Sequence, residues 1–377
     1  MKILIVLNYY VPYISGLTEA ARSVAEALAE NHEVTVLTAK HQSSLKDEET
    51  VNGVRVVRAP VLLRVSKGYI SPAFIRLFLK LSKDADIVNL HLPMIESGLF
   101  GLLTPRNKLV TTYQCDVNLN KSVLNKVIEM TMDLTCRIAL SRSSAVVVSS
   151  EDYAKHSRVL PRFQKKWKEI HPVSPAYSNI PEPVTKKTDS RIIVGFCGRI
   201  VEEKGINILL KAVPIIRQQL GNVEFRIVGS YDDVAGGSIF SRLKEEIGWD
   251  PSYVKFLGKV SQQELYDFYS SISLLVLPSI NSLEAFGMVQ VEAMLAGVPV
   301  VASNLPGVRE IPTRTGMGLV VEPKDVEGLA SAVVEVALNK SEYIKDRAYI
   351  ESLYGTGPST KKYIYLFESI LNRKSGD

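Results

Sequence analysis

The sequence contains few of the residues that mark several common classes of protein. Only three cysteines occur in 377 residues, at positions 115, 136 and 197, and their odd number and wide spacing exclude a disulfide framework and favour the reducing cytoplasm. No apolar run approaches the ~20 residues that span a bilayer, and residues 2–7 are typical of a buried strand rather than a secretory signal. The five histidines lack metal-ligand spacing, so we expect no metal site and no resident cofactor.

Apolar residues make up 46% of the chain and charged residues 23%, which is ordinary for a globular protein with more than one core. The net charge of +5 is unevenly divided. Residues 1–185 hold 23 Lys and Arg against 17 Asp and Glu, whereas residues 186–377 hold 22 against 23. The basic half is suited to an anionic partner, but it lacks any nucleic-acid-binding module, so we expect no nucleic-acid partner.

Short apolar runs alternate with helical patterns along both halves. Such runs are typical of strands buried on both faces, and their alternation with helices indicates parallel sheets. The runs that predict strands are 2–7, 33–38, 54–59, 86–91, 108–113, 144–149, 191–197, 223–228, 253–257, 273–277, 298–302 and 318–321. Twelve strands suit two doubly wound domains better than one sheet. Residues 174–190 have the composition of a linker, and two such domains predict a ligand site in the cleft between them.

One motif follows the strand predicted at 191–197. Gly198 allows a tight turn at the strand end, Arg199 and Lys204 supply two cations, and a helix begins just past Gly205. A guanidinium fork, an ammonium group and exposed helix N–H groups together suit a diphosphate. Two solvated bases beside a turn are the alternative interpretation.

A second motif lies between residues 277 and 303, where a polar loop leads into an apolar helix predicted to begin near Ala285. Glu284 lies at the expected helix entrance, and Glu292 follows eight residues later. At 1.5 Å per residue the two carboxylates would be roughly 12 Å apart along the helix axis, which suits an extended nucleotide sugar. A helix-start acid and a surface residue are the alternative roles.

These motifs and their spacing resemble the retaining glycosyltransferases of the GT4 class, glycosyl transferases group 1. The resemblance runs along most of the chain and is strongest over 191–303. It implies an α/β protein of the GT-B fold, with two doubly wound, Rossmann-like parallel-sheet domains that face each other across a cleft. We expect an acceptor-binding domain over 1–185, a donor-binding domain over 186–358, and a C-terminal helix within 359–377 that crosses back to the first domain.

The resemblance also assigns roles in the second half. Arg199 and Lys204 would hold the diphosphate of a nucleotide sugar, Glu284 would contact the transferred sugar, and Glu292 would bind ribose. Further donor contacts are implied at the glycine turns, at the backbone that caps the phosphates, and at the loop that meets the base: Gly198, Gly229, Phe286, Gly287, Met288, Val289, Lys259 and Val260.

The first half departs from the family pattern at two positions. Ser15-Gly16 stands where the family often has two glycines, so only Gly16 is carried over as a donor contact. Gln114 stands where the family commonly has histidine; its amide can bind a sugar hydroxyl but cannot move a proton. Asp116 is then the nearest candidate to orient or deprotonate an acceptor hydroxyl, with a turn-forming acid as its alternative role. His91 is a candidate acceptor contact or a polar strand-end residue.

The implied function is a hexosyltransferase that moves a sugar from a nucleotide-diphosphate sugar to a hydroxyl of an acceptor such as a lipid-linked glycan. The alternatives are an isomerase like UDP-sugar 2-epimerase and a weakly active donor-binding subunit of a heteromeric transferase. Basic amphipathic segments at 71–83 and 155–168 are candidates for peripheral docking at the inner face of the membrane. A helix that packs its apolar stripe on the core is the alternative for 71–83.

Overall fold

The computed structural model describes residues 1–377 except 66–67, 120–121, 178, 182–190, 233–236 and 373–377. The chain divides into two compact units. Unit 1 comprises Met1–Pro175 and Thr356–Asp377, and unit 2 comprises Ala176–Gly355. Each unit is built around its own, largely parallel β-sheet, which confirms the predicted α/β class with two parallel-sheet domains.

Unit 1 contains a large sheet and a small hairpin. The described strands are β1 (Lys2–Val6), β2 (Glu33–Ala39), β3 (Glu48–Val51), β4 (Val54–Ala59), β5 (Leu63–Val65), β6 (Gly68–Ile70), β7 (Ile87–Leu92), β8 (Leu109–Tyr113), β9 (Ala145–Val148) and β10 (Trp167–Glu169). The large sheet has the order β10-β9-β8-β7-β1-β2-β4-β3, and only the β3–β4 pair is antiparallel. The edge strands β3 and β10 and the β5–β6 hairpin were not predicted, because they are short and β3 and β10 carry charged residues.

The helices of unit 1 begin at side-chain caps. They are α1 (Gly16–Ala29), α2 (Pro72–Asp84), α3 (Ser97–Leu103), α4 (Val123–Arg142) and α5 (Glu151–His156). A serine caps all of these except α3: the hydroxyls of Ser15, Ser71, Ser122 and Ser150 each accept a hydrogen bond from a backbone amide in the first turn. These caps fix where the loops after the strands end, and therefore which residues lie at the sheet edge.

Unit 2 is built on a six-stranded sheet in which every pair is parallel. Its strands are β11 (Ile192–Cys197), β12 (Val223–Val228), β13 (Val254–Gly258), β14 (Leu274–Leu277), β15 (Val300–Ser303) and β16 (Gly318–Val321). The order is β13-β12-β11-β14-β15-β16, the doubly wound order with a switch point between β11 and β14. All six were predicted; β14 and β15 are buried throughout and give unbroken apolar runs, whereas β13 and β16 are only partly buried.

Helices cover this sheet. They are α6 (Ile206–Leu220), α7 (Phe240–Glu246), α8 (Gln262–Ser271), α9 (Met288–Leu295), α10 (Glu310–Thr315), α11 (Val326–Leu338) and α12 (Arg347–Tyr354). One large core cluster of unit 2 joins side chains of β11 and β12, such as Phe196 and Phe225, to the apolar faces of α6 and α11. The sheet is therefore a rigid support for the loops at its carboxyl edge.

The described contacts divide the chain at different residues from those expected from the sequence. The expected boundary between residues 185 and 186 lies outside the described residues. Residues 176–180 already belong to unit 2, because the Tyr177 hydroxyl donates to the Met288 carbonyl at 3.4 Å and Arg347 donates to the Ile180 carbonyl at 2.8 Å.

The last helix, α13 (Thr356–Asn372), belongs to unit 1 and begins three residues before the expected 359. The Ser359 hydroxyl donates to the His171 carbonyl at 3.0 Å, and the buried Tyr363 lies with its hydroxyl 3.5 Å from that of Thr112. Residues 373–377 of the expected segment lie outside the described residues. The helix is thus anchored on unit 1 by buried polar contacts.

In both segments expected to dock on a membrane, some of the apolar side chains are buried in unit 1. In α2, Phe74 and Phe78 are fully buried, so the apolar stripe packs on the core as in the alternative interpretation. In the second segment, Lys166 donates to three backbone carbonyls at the end of α4, and Leu160 is buried. Within the described ranges, no helix is both long and apolar enough to cross a membrane.

Candidate active site

Four loops of unit 2 follow adjacent strands at the carboxyl edge of its sheet. β11 ends at Cys197, β12 at Val228, β13 at Gly258 and β14 at Leu277, and the residues predicted to bind a donor come just after these ends. Ligands of open parallel sheets bind outside the carboxyl ends of the strands, near the switch point. This edge is therefore the candidate donor site.

Two glycines let these loops pack backbone against backbone. Gly205 has a φ of +66°, and a side chain there would overlap the carbonyl oxygen of Pro278. Gly229 has a φ of +146°, and a side chain there would overlap the carbonyl oxygen of Gly198. Only glycine satisfies both the positive φ and the close approach. The loops after β11, β12 and β14 are thus held in one layer.

The cations and carboxylates of this layer pair with each other. The Lys204 ammonium forms an ion pair with Glu284, and the Ser279 hydroxyl donates to the same Glu284 oxygen at 3.3 Å. Arg199 forms an ion pair with Glu203 at 3.4 Å. The side chains of Lys204 and Glu284 are 20% and 13% exposed, so both can be reached from solvent. Residues predicted to hold the diphosphate and the sugar therefore lie in direct contact.

Glu284 does not lie at a helix entrance, contrary to the expectation from the sequence. Helix α9 begins at Met288, four residues later, and Gly287 precedes it with a φ of +81°. The loop therefore continues past Ala285 and Phe286, and the rise per helical residue does not measure the distance between Glu284 and Glu292. No side chain of the described residues caps the first turn of α9, which leaves its N-terminal amides to other acceptors.

Glu292 is a buried carboxylate with a specific protein partner. It is 7% exposed, so it is not a surface residue, and its Oε2 accepts a hydrogen bond of 2.6 Å from the Tyr269 hydroxyl. Burial raises the pKa of Tyr269 well above its usual range, so the phenol remains a donor. Burial likewise raises the pKa of the neighbouring Cys197 thiol to about 12, so it stays a thiol at neutral pH.

Sequence reasoning missed Tyr269. It lies on α8, 23 residues before its partner on α9, and no local pattern links the two positions. The signal that was available was chemical: a carboxylate within an apolar helix requires a partner.

The loop expected to meet a nucleobase lies beside the loop after β12. The Gly229 amide donates to the Gly258 carbonyl at 2.9 Å, which brings the exposed Lys259 and the half-buried Val260 next to that loop. Tyr231 lies within van der Waals distance of Gly258 and stacks on Phe240 with ring centroids 4.3 Å apart. The aromatic neighbour Tyr231 was not anticipated from the sequence.

At the carboxyl edge of the unit 1 sheet, three predicted positions come together. Gln114 Nε2 donates to His91 Nδ1 at 2.8 Å and lies 3.4 Å from the carbonyl oxygen of Leu17, the residue after Gly16. Because Nδ1 accepts this hydrogen bond, the neutral ring carries its proton on Nε2. Burial lowers the pKa of His91 to about 4, so the ring is neutral at pH 7.

Asp116 is a structural acid in this arrangement. Its carboxylate accepts hydrogen bonds from the Tyr113 hydroxyl at 2.8 Å, the Ser157 hydroxyl at 2.6 Å and the Arg158 amide at 2.9 Å. Its backbone amide donates to the Tyr153 hydroxyl at 2.6 Å, and the residue is 4% exposed. The role expected for Asp116 in deprotonating an acceptor is not supported, because both oxygens are engaged by protein donors that join the loop after β8 to α5.

Metal-binding side chains do not cluster in the part of the chain that the structure describes. No group of three or more His, Cys, Asp or Glu residues there could hold a metal ion.

Comparison with known proteins gives consistent matches along the chain. Residues 191–339 match the family model of Glycosyl transferases group 1, and residues 14–172 match that of Glycosyltransferase Family 4. The chain is 27% identical over 356 residues to the phosphatidyl-myo-inositol mannosyltransferase of Mycobacterium leprae, which covers 92% of this chain and 90% of that protein. Both halves of the chain thus match glycosyltransferases.

Solved structures show the same fold at lower identity. The sucrose-phosphate synthase of Thermosynechococcus elongatus superposes with a TM-score of 0.71 at 20% identity, over 100% of this chain and 97% of the other. Anabaena HepE in complex with UDP-glucose superposes with a TM-score of 0.71 at 16% identity, over 98% of this chain and 100% of the other. With two doubly wound units and two matching family models, the chain belongs to the group 1 (GT4) glycosyltransferases and has the GT-B fold.

Proposed function

We propose that this glycosyltransferase moves a sugar from a nucleoside-diphosphate sugar to a hydroxyl group of a lipid-linked acceptor, with retention of the anomeric configuration. The observation that carries the proposal is the Lys204–Glu284 ion pair, which lies at the same sheet edge as the uncapped start of α9 and the buried carboxylate of Glu292. Cations, helix amides and two carboxylates in one layer match the phosphates and hydroxyls of such a donor.

The diphosphate would bind Arg199, Lys204 and the backbone of residues 286–289. In the ion-paired state Lys204 already has an anionic partner, so an incoming phosphate competes with Glu284 for the ammonium group. Released from Lys204, the Glu284 carboxylate can accept hydrogen bonds from hydroxyls of the transferred sugar. The ion pair thus keeps the ammonium group proposed to bind phosphate next to the carboxylate proposed to bind the sugar.

The ribose would bind Glu292. An ionised carboxylate can accept several hydroxyl donors on its two oxygens, and the Tyr269 hydroxyl donates to Oε2. Gly198 and Gly229 would let the backbone approach the donor closely, and Lys259 and Val260 would meet the base.

In the proposed reaction the sugar–phosphate bond breaks while the acceptor oxygen bonds to the same carbon on the same face. The leaving phosphate oxygen takes the proton of the acceptor hydroxyl, so no side chain has to act as a base. This is compatible with an Asp116 whose oxygens are engaged elsewhere and a His91 that is buried and neutral. Arg199 and Lys204 would stabilise the charge that develops on the leaving phosphate, and no step is assigned to a metal ion or cofactor.

The acceptor is proposed to bind unit 1, with Gln114 as a contact for a hydroxyl group. Unit 1 carries 27 Lys and Arg against 18 Asp and Glu, a surplus of nine positive charges, whereas unit 2 carries 18 against 22. A basic unit suits an anionic, lipid-linked acceptor. The similarity to a phosphatidyl-myo-inositol mannosyltransferase supports the same class.

Lys204→Ala tests this assignment most strongly. Loss of one preorganised group that stabilises the leaving phosphate should lower kcat by about 10²–10³-fold. Turnover is measured with the nucleotide sugar that binds best in a thermal-shift panel of UDP-, GDP- and ADP-sugars. The control is Lys244→Ala, which removes an exposed lysine of α7. Near-normal turnover in a folded Lys204→Ala protein would refute the proposed diphosphate site.

A further inference from the structure

Large apolar side chains are exposed together on one helix pair of unit 1. We call this set the α3–α4 apolar face. Its members are 38–85% exposed: Ile95, Leu99, Leu102, Leu103, Val123, Leu124, Val127, Met130 and Leu134. Isolated exposed apolar residues are ordinary, but many of them along one pair of packed helices mark a site of interaction.

The spacing of these residues places them in stripes. Residues 95, 99 and 102 recur at i, i+4 and i+7 along α3 and the turn before it, and residues 123, 127, 130 and 134 recur at i, i+4, i+7 and i+11 along α4. Residues at these intervals lie on one side of a helix. Each helix therefore presents an apolar stripe to solvent, and the buried residues of α4 lie in its last two turns, at Cys136, Ala139 and Leu140.

Two glycines hold the two helices close together. A Cβ at Gly98 would lie 3.2 Å from the Thr135 Cα, and a Cβ at Gly101 would lie 2.8 Å from the Ala139 Cα. The helix backbones therefore approach as closely as their atoms allow, and they do so in the same chain direction. The stripes of α3 and α4 belong to one rigid pair.

Cations outnumber acids along α3, α4 and the turns beside them: Arg106, Lys126, Arg137 and Arg142 against Glu96, Glu129 and Asp133. Lys126 on α4 and Arg106 just after α3 are exposed. Arg158 lies 3.7 Å from Glu129 and 3.3 Å from Asp133, so it offsets one of these two negative charges. Burial also raises the pKa of Glu96 to about 7, which reduces its negative charge near neutral pH.

We propose that the α3–α4 apolar face docks on an anionic lipid surface. An apolar stripe flanked by cations is the pattern with which helices lie in the interface of such membranes. A second copy of the chain fits less well, because it would bring another surplus of nine positive charges on unit 1 toward the first. This surface differs from the segments at 71–83 and 155–168, in which Phe74, Phe78 and Leu160 are buried.

The inference adds a membrane surface to the proposed lipid-linked acceptor, but it is tested without any transfer reaction. The full chain is mixed with vesicles of phosphatidylcholine and phosphatidylglycerol, or of phosphatidylcholine alone, and the bound fraction is measured by flotation. We expect the wild type to bind the mixed vesicles and to bind less at high salt.

The informative variant is Leu124→Glu with Met130→Glu, which places two carboxylates on the face. Its control is Leu62→Glu with Leu338→Glu, the same change of charge at two other exposed leucines. Flotation should fall at least about tenfold for the first pair and remain near wild type for the second, with both proteins melting like the wild type.

Three outcomes would overturn the inference: no binding of the wild type to mixed vesicles, equal binding by both double variants, or a wild-type dimer in light scattering that Leu124→Glu with Met130→Glu dissociates. The last would make the face an interface between copies. If vesicle binding is as expected but Lys204→Ala retains turnover, the proposed donor site fails while the docking surface stands.

Discussion

The two units use polar residues at the same edge of their sheets in opposite ways. In unit 2, Lys204 and Glu284 pair with each other and remain within reach of solvent. In unit 1, Asp116 is buried under three protein donors and His91 is a neutral ring held by Gln114. A carboxylate after a strand thus marks a candidate ligand contact in one unit and a structural junction in the other. Exposure distinguishes the two cases, because the Glu284 side chain is 13% exposed and Asp116 is 4% exposed.

The two units also differ in net charge. Unit 1 has a surplus of nine positive charges and unit 2 a surplus of four negative ones. The cations of the candidate donor site therefore lie within an acidic unit, whereas unit 1 is basic as a whole. This suits a small, specifically bound donor on unit 2 and an extended anionic partner on unit 1.

Replacing Asp116 should have the largest effect, and it tests whether the acid of unit 1 is structural, unlike the acids of unit 2. Asp116→Asn should lower the free energy of unfolding by about 1–3 kcal/mol, because the amide cannot accept all of the hydrogen bonds that the carboxylate accepts. The turnover of the folded protein should change little. Denaturation and kcat are measured together, with the exposed Asp47→Asn as control. A normal unfolding transition with turnover lost would restore Asp116 as a catalytic base.

A second expected effect is a pH dependence of the free energy of unfolding, which originates from His91 in unit 1. The pKa of His91 is about 4 in the folded protein and about 6.5 in an unfolded chain, so the unfolded state takes up the proton first as the pH falls. This stabilisation is present above pH 6.5 and is lost toward pH 4.

Between pH 7 and pH 5 the wild type should lose about 2 kcal/mol more unfolding free energy than His91→Gln. Urea denaturation at the two pH values measures the difference. His156→Gln, at an exposed histidine, should behave like the wild type. Equal pH dependence in the wild type and His91→Gln would show that the ring is not held neutral.

The smallest expected effect comes from Tyr269 of unit 2 and tests whether its hydroxyl positions Glu292. Tyr269→Phe removes the hydroxyl that positions Glu292 and should weaken donor binding by about 1 kcal/mol, or about fivefold in Kd. Tyr349→Phe is the matched control, since it also loses one hydrogen bond, to the Arg314 carbonyl. Tyr269 has no positioning role if donor Kd is unchanged or if both variants weaken it equally.

The sequence predicted much of the fold because buried parallel strands consist of consecutive apolar residues. It missed β3 and β10, whose short, charged segments form strands only because a neighbouring strand offers hydrogen bonds. Helix periodicity was ambiguous for a related reason. The stripes of α2 and α4 have the same spacing, yet Phe74 and Phe78 are buried while Val127 and Met130 are exposed. Only tertiary packing decides which stripe faces the core.

The sequence predicted the candidate donor positions from the types of residue that follow the strand ends and from the family resemblance. What could not be predicted was their environment: the Lys204–Glu284 pair joins residues 80 positions apart, and the hydroxyl that holds Glu292 comes from another helix. The sequence identified Asp116 as a candidate acid, but it could not show that three donors of the protein bind its carboxylate.

The central claim is that the carboxyl edge of unit 2 binds the nucleoside-diphosphate donor, and Glu292 tests it most directly. Glu292→Gln keeps the shape of the side chain and an acceptor for Tyr269 but removes the charge proposed to bind ribose. In calorimetry with the tightest-binding of UDP, GDP and ADP, we predict a Kd at least about tenfold higher than that of the wild type. Glu246→Gln, at an exposed glutamate of the same unit, should leave the Kd unchanged. An unaltered Kd in Glu292→Gln would contradict the claim.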